Sequence, residues 1–378
     1  MCVEKKERPW QVGDWAVQAE EARIRAEARK GEKKKRRRSE KSTEGQKAAK
    51  KRETALEPVD EERLHSDLLA WLRAHGVKST DSTYSTYIKQ FRSYCEVADL
   101  EAFPASAVTV ASFLRYLHEG KGLAKNTIKV ASAAIASEYK LTGVQSQTKS
   151  ELVKATMKVI GREAKPEKPK LPLTVELVKK LVSNGRNTWT ETRDSFMIVL
   201  MMNAMLRESE AMALKMEGEN EDVWIETMKE EGWKEAKEVL FVYVEKSKTD
   251  QERHGHTIVV GPAADPTICP VQMFKKWTLM RNKASKYLFH QKGSGAKLSA
   301  ATPNIRLKTR LKRIGVDATK YGSHSARRGM CTAAAAKGIH ERLLRKHGRW
   351  LSDCIYRYIV ESVDNQLAVS AAVFGPVS

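Results

Sequence analysis

The chain has 378 residues, 41% of them hydrophobic, and a formal net charge of +21. That is long enough for two domains and apolar enough for packed interiors, and the charge points to a polyanion partner: nucleic acid or an acidic membrane surface. The longest apolar run, Phe196–Met202, is far short of the roughly 20 residues of a bilayer span, and the charged start lacks the apolar stretch of a signal peptide. Five scattered cysteines (Cys2, Cys95, Cys269, Cys331, Cys354) without a C-x-x-C pair argue against a disulfide scaffold, a zinc ribbon or a redox motif. The expectation is an intracellular protein, neither secreted nor membrane-spanning.

Residues 1–60 carry 18 basic and 12 acidic side chains and few large apolar groups after Trp15, so they read as a mobile basic arm. Within it, Lys33-Lys34-Lys35-Arg36-Arg37-Arg38 suits a nuclear import signal or a phosphate-binding arm. From Glu61 the pattern turns helical: Leu64, Leu68, Leu69 and Leu72 share one face as far as Gly76. Thr83–Val97 repeats this with Tyr84, Tyr87, Ile88, Phe91 and Tyr94, and Val108–Leu117 and Asn126–Tyr139 add two more helices. Four or five short helices over residues 61–162 predict a small all-α domain. The segment 163–174, rich in proline and lysine, cannot continue a helix and is expected to be the domain linker.

Residues 175–378 are expected to form a second, mixed α+β domain with a C-terminal tail. Helices are predicted at Val175–Val182 and Glu191–Lys215. Val223–Thr227, Val239–Val244 and His256–Val260 read as strands of a small antiparallel sheet. Helices resume at Pro270–Arg281, Pro303–Ile314, Ala326–Ala336 and His340–His347, and from about Asp353. The fold class is therefore mainly α with a small antiparallel β-sheet. Between Pro303 and Trp350 stand 13 basic residues against only Asp317 and Glu341, so about half of the net charge lies in one short stretch.

Taken singly, the residues that could carry chemistry have bland readings. Arg207, in L-R-E-S-E, could be a surface arginine paired along its helix with Glu210. Lys248, or its rival Lys246, could be a solvated hairpin lysine. His324 and Arg327, one helical turn apart in H-S-A-R, can face one ligand oxygen. Trp350 in G-R-W, and Tyr358 or Tyr356 in C-I-Y-R-Y-I, could be packing aromatics.

In this order, however, the set R…K…H-x-x-R…W…Y resembles the catalytic signature of tyrosine recombinases, the phage-integrase family of Cre-type and Xer-type enzymes. The most specific part is S-H-S-A-R-R-G, an alanine-rich helix, and then K-H-G-R-W-L-S-D-C-I-Y-R-Y-I. T-x-x-x-Y-x-x-x-F-x-x-Y-C at Thr83–Cys95 and G-L-A-K-N-T-I at Gly122–Ile128 are similar to the family's helical core-binding domain. The tryptophan, the longer spacing and the basic arm are more like recombinases of eukaryotic DIRS-like or Crypton-like mobile elements than bacterial Xer proteins. Some positions depart from the common pattern. Trp350 and Tyr358 are eight residues apart where nine is usual, Ala326 stands where leucine is frequent, and Glu230–Glu238 is an insertion of unassigned role. His347 stands in for Trp350 if the alignment slips.

The resemblance implies a site-specific recombinase that integrates or excises a mobile element through a 3′-phosphotyrosyl intermediate, with no metal or nucleotide cofactor. Tyr358 would be the nucleophile. Arg207 and Arg327 would clamp the non-bridging phosphate oxygens, with His324 assisting, Trp350 donating one hydrogen bond and Lys248 acting as general acid. It further implies a two-domain C-shaped clamp around double-stranded DNA. Lys125 and Lys129 would start a groove-reading helix, with Lys89 and Arg328 as further DNA contacts. A dimer on each site and a tetramer at synapsis follow, with the apolar tail beyond Tyr358 packing onto a neighbouring protomer or its own domain. Localisation would be nuclear in a eukaryotic host. The alternatives are a type IB topoisomerase-like enzyme, or a catalytically silent DNA-binding protein derived from a recombinase.

Overall fold

The computed structural model describes residues 60–75, 78–142, 145–164, 169–217, 221–229, 234–248, 250, 254–361 and 367. The basic arm before Asp60, the first part of the 230–238 insertion and nearly all of the tail after Glu361 lie outside the described residues. No helix among the described residues is long and apolar enough to cross a membrane. The chain divides into two compact units, with the division at Lys168/Pro169.

The first unit is all α: α1 (Glu61–His75), α2 (Lys78–Val97), α3 (Ala107–Arg115, running into a π-helical turn at Tyr116–Gly120), α4 (Lys125–Thr142) and α5 (Glu151–Glu163). Ser106 and Ser150 start α3 and α5 by accepting the backbone N–H groups of Thr109 and Val153, satisfying donors that a helix start leaves open. The core gathers Phe91 from α2, Phe113, Leu114 and Leu117 from α3 and its turn, and Ile128, Ile135 and Tyr139 from α4. Phe91 packs on Phe113 with ring centroids 5.0 Å apart. Of the four or five helices expected, α5 is the one without a predicted range; it buries only Val153 and Ile160 at helical spacing, a stripe too thin to stand out among its lysines. Helix α1 forms as expected, but Leu64, Leu68 and Trp71 are each more than half exposed. Its alanines, leucines and acidic first turn sustain the helix without burial of that stripe.

The second unit winds around one buried helix. In chain order it has α6 (Val175–Ser183), α7 (Trp189–Asn203), α8 (Glu208–Ala211), β1 (Val223–Met228), β2 (Lys237–Val244), β3 (His256–Val260), α9 (Pro270–Met280), α10 (Thr302–Arg313), α11 (Ser325–Ala336) and α12 (Glu341–Gly348), then a 3₁₀ turn at Asp353–Arg357. Every residue of α7 from Thr192 to Met202 is buried, which is why Phe196–Met202 is apolar all round rather than amphipathic. Its buried charged pair and serine are satisfied: Arg193 with Asp194 at 2.6 Å, and Ser195 with Arg310 at 2.7 Å.

The sheet is antiparallel in the order β1-β2-β3, with Ile225 opposite Leu240 and Val242 opposite Ile258. The helix expected over Glu191–Lys215 is instead broken after Asn203. Ala204–Leu206 form a turn with Met205 at φ 45°, and Arg207 begins a new short helix in extended conformation.

The extended segment leading into α6 lies along the start of α11: the Leu173 N–H donates to the Ser325 carbonyl at 2.9 Å, and Leu171 to Lys320 at 2.8 Å. The approach is close because residue 329 is glycine; a Cβ there would sit 2.0 Å from the Leu173 carbonyl oxygen. That contact sets the position of α11, which carries His324 and Arg327 at its first turn. Gly329→Ala is expected to lower the unfolding free energy by about 1–3 kcal/mol through this overpacking, measured by denaturant titration; an unchanged midpoint would show that the segment can move aside.

Candidate active site

The break after α7 is where the site is built. Carbonyls of the turn, no longer held in a helical ladder, become acceptors for arginines from elsewhere in the chain. The fully buried Arg327 guanidinium, one turn into α11, donates through Nη1 to the Met205 carbonyl and through Nη2 to the Gly348 carbonyl. Arg349, after α12, reaches the same carbonyl of Met205 at 3.0 Å and that of Ala204 at 3.3 Å. Arg349 also engages the next helix, α8, and so does Arg207 at its cap. Arg349 meets Glu210 Oε2 at 2.7 Å, while Arg207 at the cap of α8 meets Glu210 Oε1 at 2.5 Å. The Arg207 backbone N–H closes the box onto Glu210 Oε2 at 2.9 Å. The i, i+3 pairing visible in L-R-E-S-E is thus real, but it is a half-buried structural pair rather than a solvated one.

Against this frame sit the aromatic groups. Trp350 and Tyr358 pack with centroids 5.0 Å apart in a small satellite core with Met205, Cys331, Leu344 and Ile355. The Arg327 guanidinium lies 4.2 Å from the Trp350 ring centroid and 5.5 Å from that of Tyr358. Gly348 makes room for this, since a Cβ would lie 2.0 Å from the Trp350 ring. The Tyr358 hydroxyl is 3.2 Å from His324 Nδ1. Three donors in this cluster, Nε of Arg327, Nε of Arg349 and Nε1 of Trp350, are buried without a protein partner.

The electrostatics follow from burial beside several cations. Burial, and then the charges of Arg327, Arg207, Lys248 and Arg328, push the His324 pKa below its ordinary 6.5. The imidazole is therefore neutral at neutral pH and can accept the tyrosine hydroxyl's proton at Nδ1. Burial, with Arg349 and Arg207 nearby, lowers Arg327 to about 9, which still leaves it charged at neutral pH. Burial of Glu210 raises its pKa, but the Arg349 and Arg207 cations outweigh this and hold it below the usual carboxylate range.

The alternatives left open by the sequence are separated in space. The exposed Tyr356 hydroxyl donates to Glu341 at 2.5 Å, whose carboxylate raises its pKa; Tyr356 has no bond to His324. His347 points away from the tyrosines, its Nε2 2.6 Å from the Asn203 carbonyl, while Trp350 occupies the place beside Tyr358. Lys248 is exposed in the turn between β2 and β3, and its charge acts on His324. Asp250 shapes that turn by accepting the backbone N–H groups of His254 at 3.0 Å and Gly255 at 2.8 Å.

The DNA-contact candidates divide differently. Lys89 is exposed on α2 and Lys129 is exposed on α4, whose first residue is the half-buried Lys125. Arg328, expected to meet DNA, spends its guanidinium on two backbone carbonyls, Lys170 at 2.6 Å and Arg357, so it ties the entry segment to the turn that carries Tyr358. Glu210 and Arg349 went unassigned at the sequence level. The R-x-x-E spacing signalled the first, and nothing in G-R-W distinguished the second.

The cluster combines three guanidiniums, one buried carboxylate, a neutral imidazole and a tyrosine hydroxyl. Such a set stabilises an oxyanion while a hydroxyl attacks beside it. No group of His, Cys, Asp or Glu among the described residues is placed to hold a metal ion.

Comparison with known proteins places the chain among recombinases by similarity. The profile of the phage integrase family matches residues 172–358, the span that holds every position from Arg207 to Tyr358. An integrase/recombinase XerD homologue of Selenomonas ruminantium is 24% identical over 309 residues, covering 79% of this chain and 86% of that protein. Among solved structures, the XerH site-specific recombinase, captured in a post-cleavage complex with palindromic difH substrate, superposes with a TM-score of 0.55 at 17% identity. That match covers 80% of this chain and 82% of XerH. The Tn1549 transposon integrase, in complex with transposon right end DNA, gives a TM-score of 0.51 at 13% identity over 83% of this chain and 99% of that one. These structural likenesses establish a shared fold. Residues 172–358, just under half of the chain, therefore match the phage integrase family of tyrosine recombinases.

Proposed function

We propose that this enzyme cuts and rejoins double-stranded DNA at paired sites through a 3′-phosphotyrosyl intermediate. The observation that carries the reading is the Tyr358 hydroxyl 3.2 Å from His324 Nδ1, beside the buried guanidinium of Arg327. In the cleavage step the Tyr358 oxygen attacks phosphorus and its proton passes to His324 Nδ1. The bond from phosphorus to the 5′-oxygen breaks, and Lys248 protonates that oxygen, leaving a free 5′-hydroxyl. Arg207 and Arg327 take the growing charge on the non-bridging oxygens, and the Trp350 indole N–H adds one donor. Because one ester is exchanged for another, rejoining is the same step in reverse and needs no energy source.

The finer reading is a recombinase of a eukaryotic DIRS-like or Crypton-like mobile element, acting in the nucleus. It rests on the tryptophan at position 350, the spacing around it and the Lys33–Arg38 run. The 61–162 helical domain would grip DNA through Lys89, Lys125 and Lys129, joined across 163–174 to the 175–378 catalytic domain. Assembly would be a dimer on each site and a tetramer at synapsis.

The first test is covalent capture: the full chain is incubated with a pool of nicked duplexes of randomised sequence and run on a denaturing gel. A protein–DNA adduct should form with the wild type, persist in Tyr356→Phe and vanish in Tyr358→Phe; an adduct that survives Tyr358→Phe would transfer the nucleophile's role elsewhere. On a captured sequence, Lys248→Ala should slow cleavage by about 10²–10⁴-fold, the usual scale of general acid catalysis. A sulfur in place of the bridging 5′-oxygen should restore most of that rate, since a thiolate leaves without a proton. Equal losses on both substrates would remove Lys248 from this role. Finally, the pH dependence follows from His324, whose neutral form is required and whose pKa lies below 6.5. Single-turnover cleavage should hold at neutral pH and decline only as pH falls below 6.5; a decline that begins above neutrality would contradict it.

A further inference from the structure

Arg349 stands where the backbone favours glycine. It ends α12 in the left-handed region, at φ 58° and ψ 44°, a conformation that costs a side chain with a Cβ and that glycine adopts freely. The side chain is nonetheless buried, and both of its terminal nitrogens are engaged while Nε has no protein partner. It bonds the carbonyls of Ala204, Met205 and His347 and ends on Glu210 Oε2 at 2.7 Å. A buried cation in a strained position needs compensation, and the carbonyls alone would not supply a counter-charge.

Glu210 supplies it and is shared. One oxygen takes Arg349 and the other takes Arg207 at 2.5 Å, so one carboxylate serves two guanidiniums and the trio carries net positive charge. Without Arg349, the buried Glu210 would have Arg207 as its near cation, and Arg207 would be neutralised and drawn inward. The same Met205 carbonyl also receives Arg327, so Arg349 touches the anchors of both Arg207 and Arg327.

We propose that Arg349 is a positioning residue that shares Glu210 with Arg207 and so keeps the Arg207 charge free for the reacting phosphate. The inference rests on the recombinase reading above.

The test compares two substrates. A nicked duplex captured by the wild type from the randomised pool is made once with an ordinary scissile phosphate and once with a methylphosphonate, which lacks the charge that Arg207 answers. Arg349→Gly suits the backbone and should melt no lower than a few degrees from the wild type. It should slow adduct formation on the phosphate about 10²-fold, yet stay within about threefold of the wild type on the methylphosphonate. Arg349→Lys, which restores the cation, should recover part of the loss. Equal slowing on both substrates, or none on the phosphate, would overturn the proposal. If Arg349→Gly unfolds at the assay temperature, the ratio between the two substrates for Arg349→Lys decides in the same way. Failure of the wild type to form any adduct would overturn the recombinase reading itself, a different result from an active wild type with an indifferent Arg349→Gly.

Discussion

The carbonyl oxygen of Met205 is the point on which the catalytic unit turns. It is available because α7 stops at Asn203 and the chain takes a left-handed step at Met205, and it is taken up by two guanidiniums, Arg327 from α11 and Arg349 from the end of α12. Through those two side chains the break fixes the distance between three segments far apart in sequence. Through Glu210 it also fixes Arg207, which starts the helix on the other side of the break. Helix α7 is fully buried, so this anchor cannot drift without disturbing the core of the unit.

Such a cluster is an electrostatic liability unless something anionic joins it. Arg207, Arg327 and Arg349 lie close together in a largely dry environment with one carboxylate among them, and burial together with mutual repulsion depresses the pKa of Arg327 to about 9. Guanidinium is the cation that tolerates this, because even so large a depression leaves it charged at neutral pH. An imidazole in the same field does not tolerate it: His324 loses its proton and becomes an acceptor for the tyrosine hydroxyl. One field thus keeps the guanidiniums charged and the imidazole neutral, side by side.

Much of this was legible in the sequence. The alternation that marks β1 to β3, the apolar run of α7, the proline-rich boundary and the order R…K…H-x-x-R…W…Y all depend on local periodicity or on fixed spacing. Those features survive without knowledge of the fold. Other features did not. Helix α7 was expected to run on to Lys215 because Leu206, Met212 and Leu214 continue its pattern; the break comes from carbonyl acceptors required by arginines more than 100 residues away. Helix α5 had no predicted range because its buried stripe is two residues wide. Arg328 sits in the most basic stretch of the chain and looks like a DNA contact, but its guanidinium is committed to the Lys170 and Arg357 carbonyls.

By itself, then, the sequence determined the kinds of element, their order and the identity of the six residues that resemble a recombinase's catalytic set, because each of these is written in neighbouring side chains. Only the tertiary structure separated the rival side chains in space. Tyr358 and Tyr356 are two residues apart and equally tyrosine, yet one hydroxyl meets His324 and the other meets Glu341. His347 and Trp350 exchange plausibility until α12 ends at Arg349 and turns the indole, not the imidazole, toward Tyr358. Direction in space depends on where a helix stops and what the following backbone bonds to, and those partners come from distant parts of the chain.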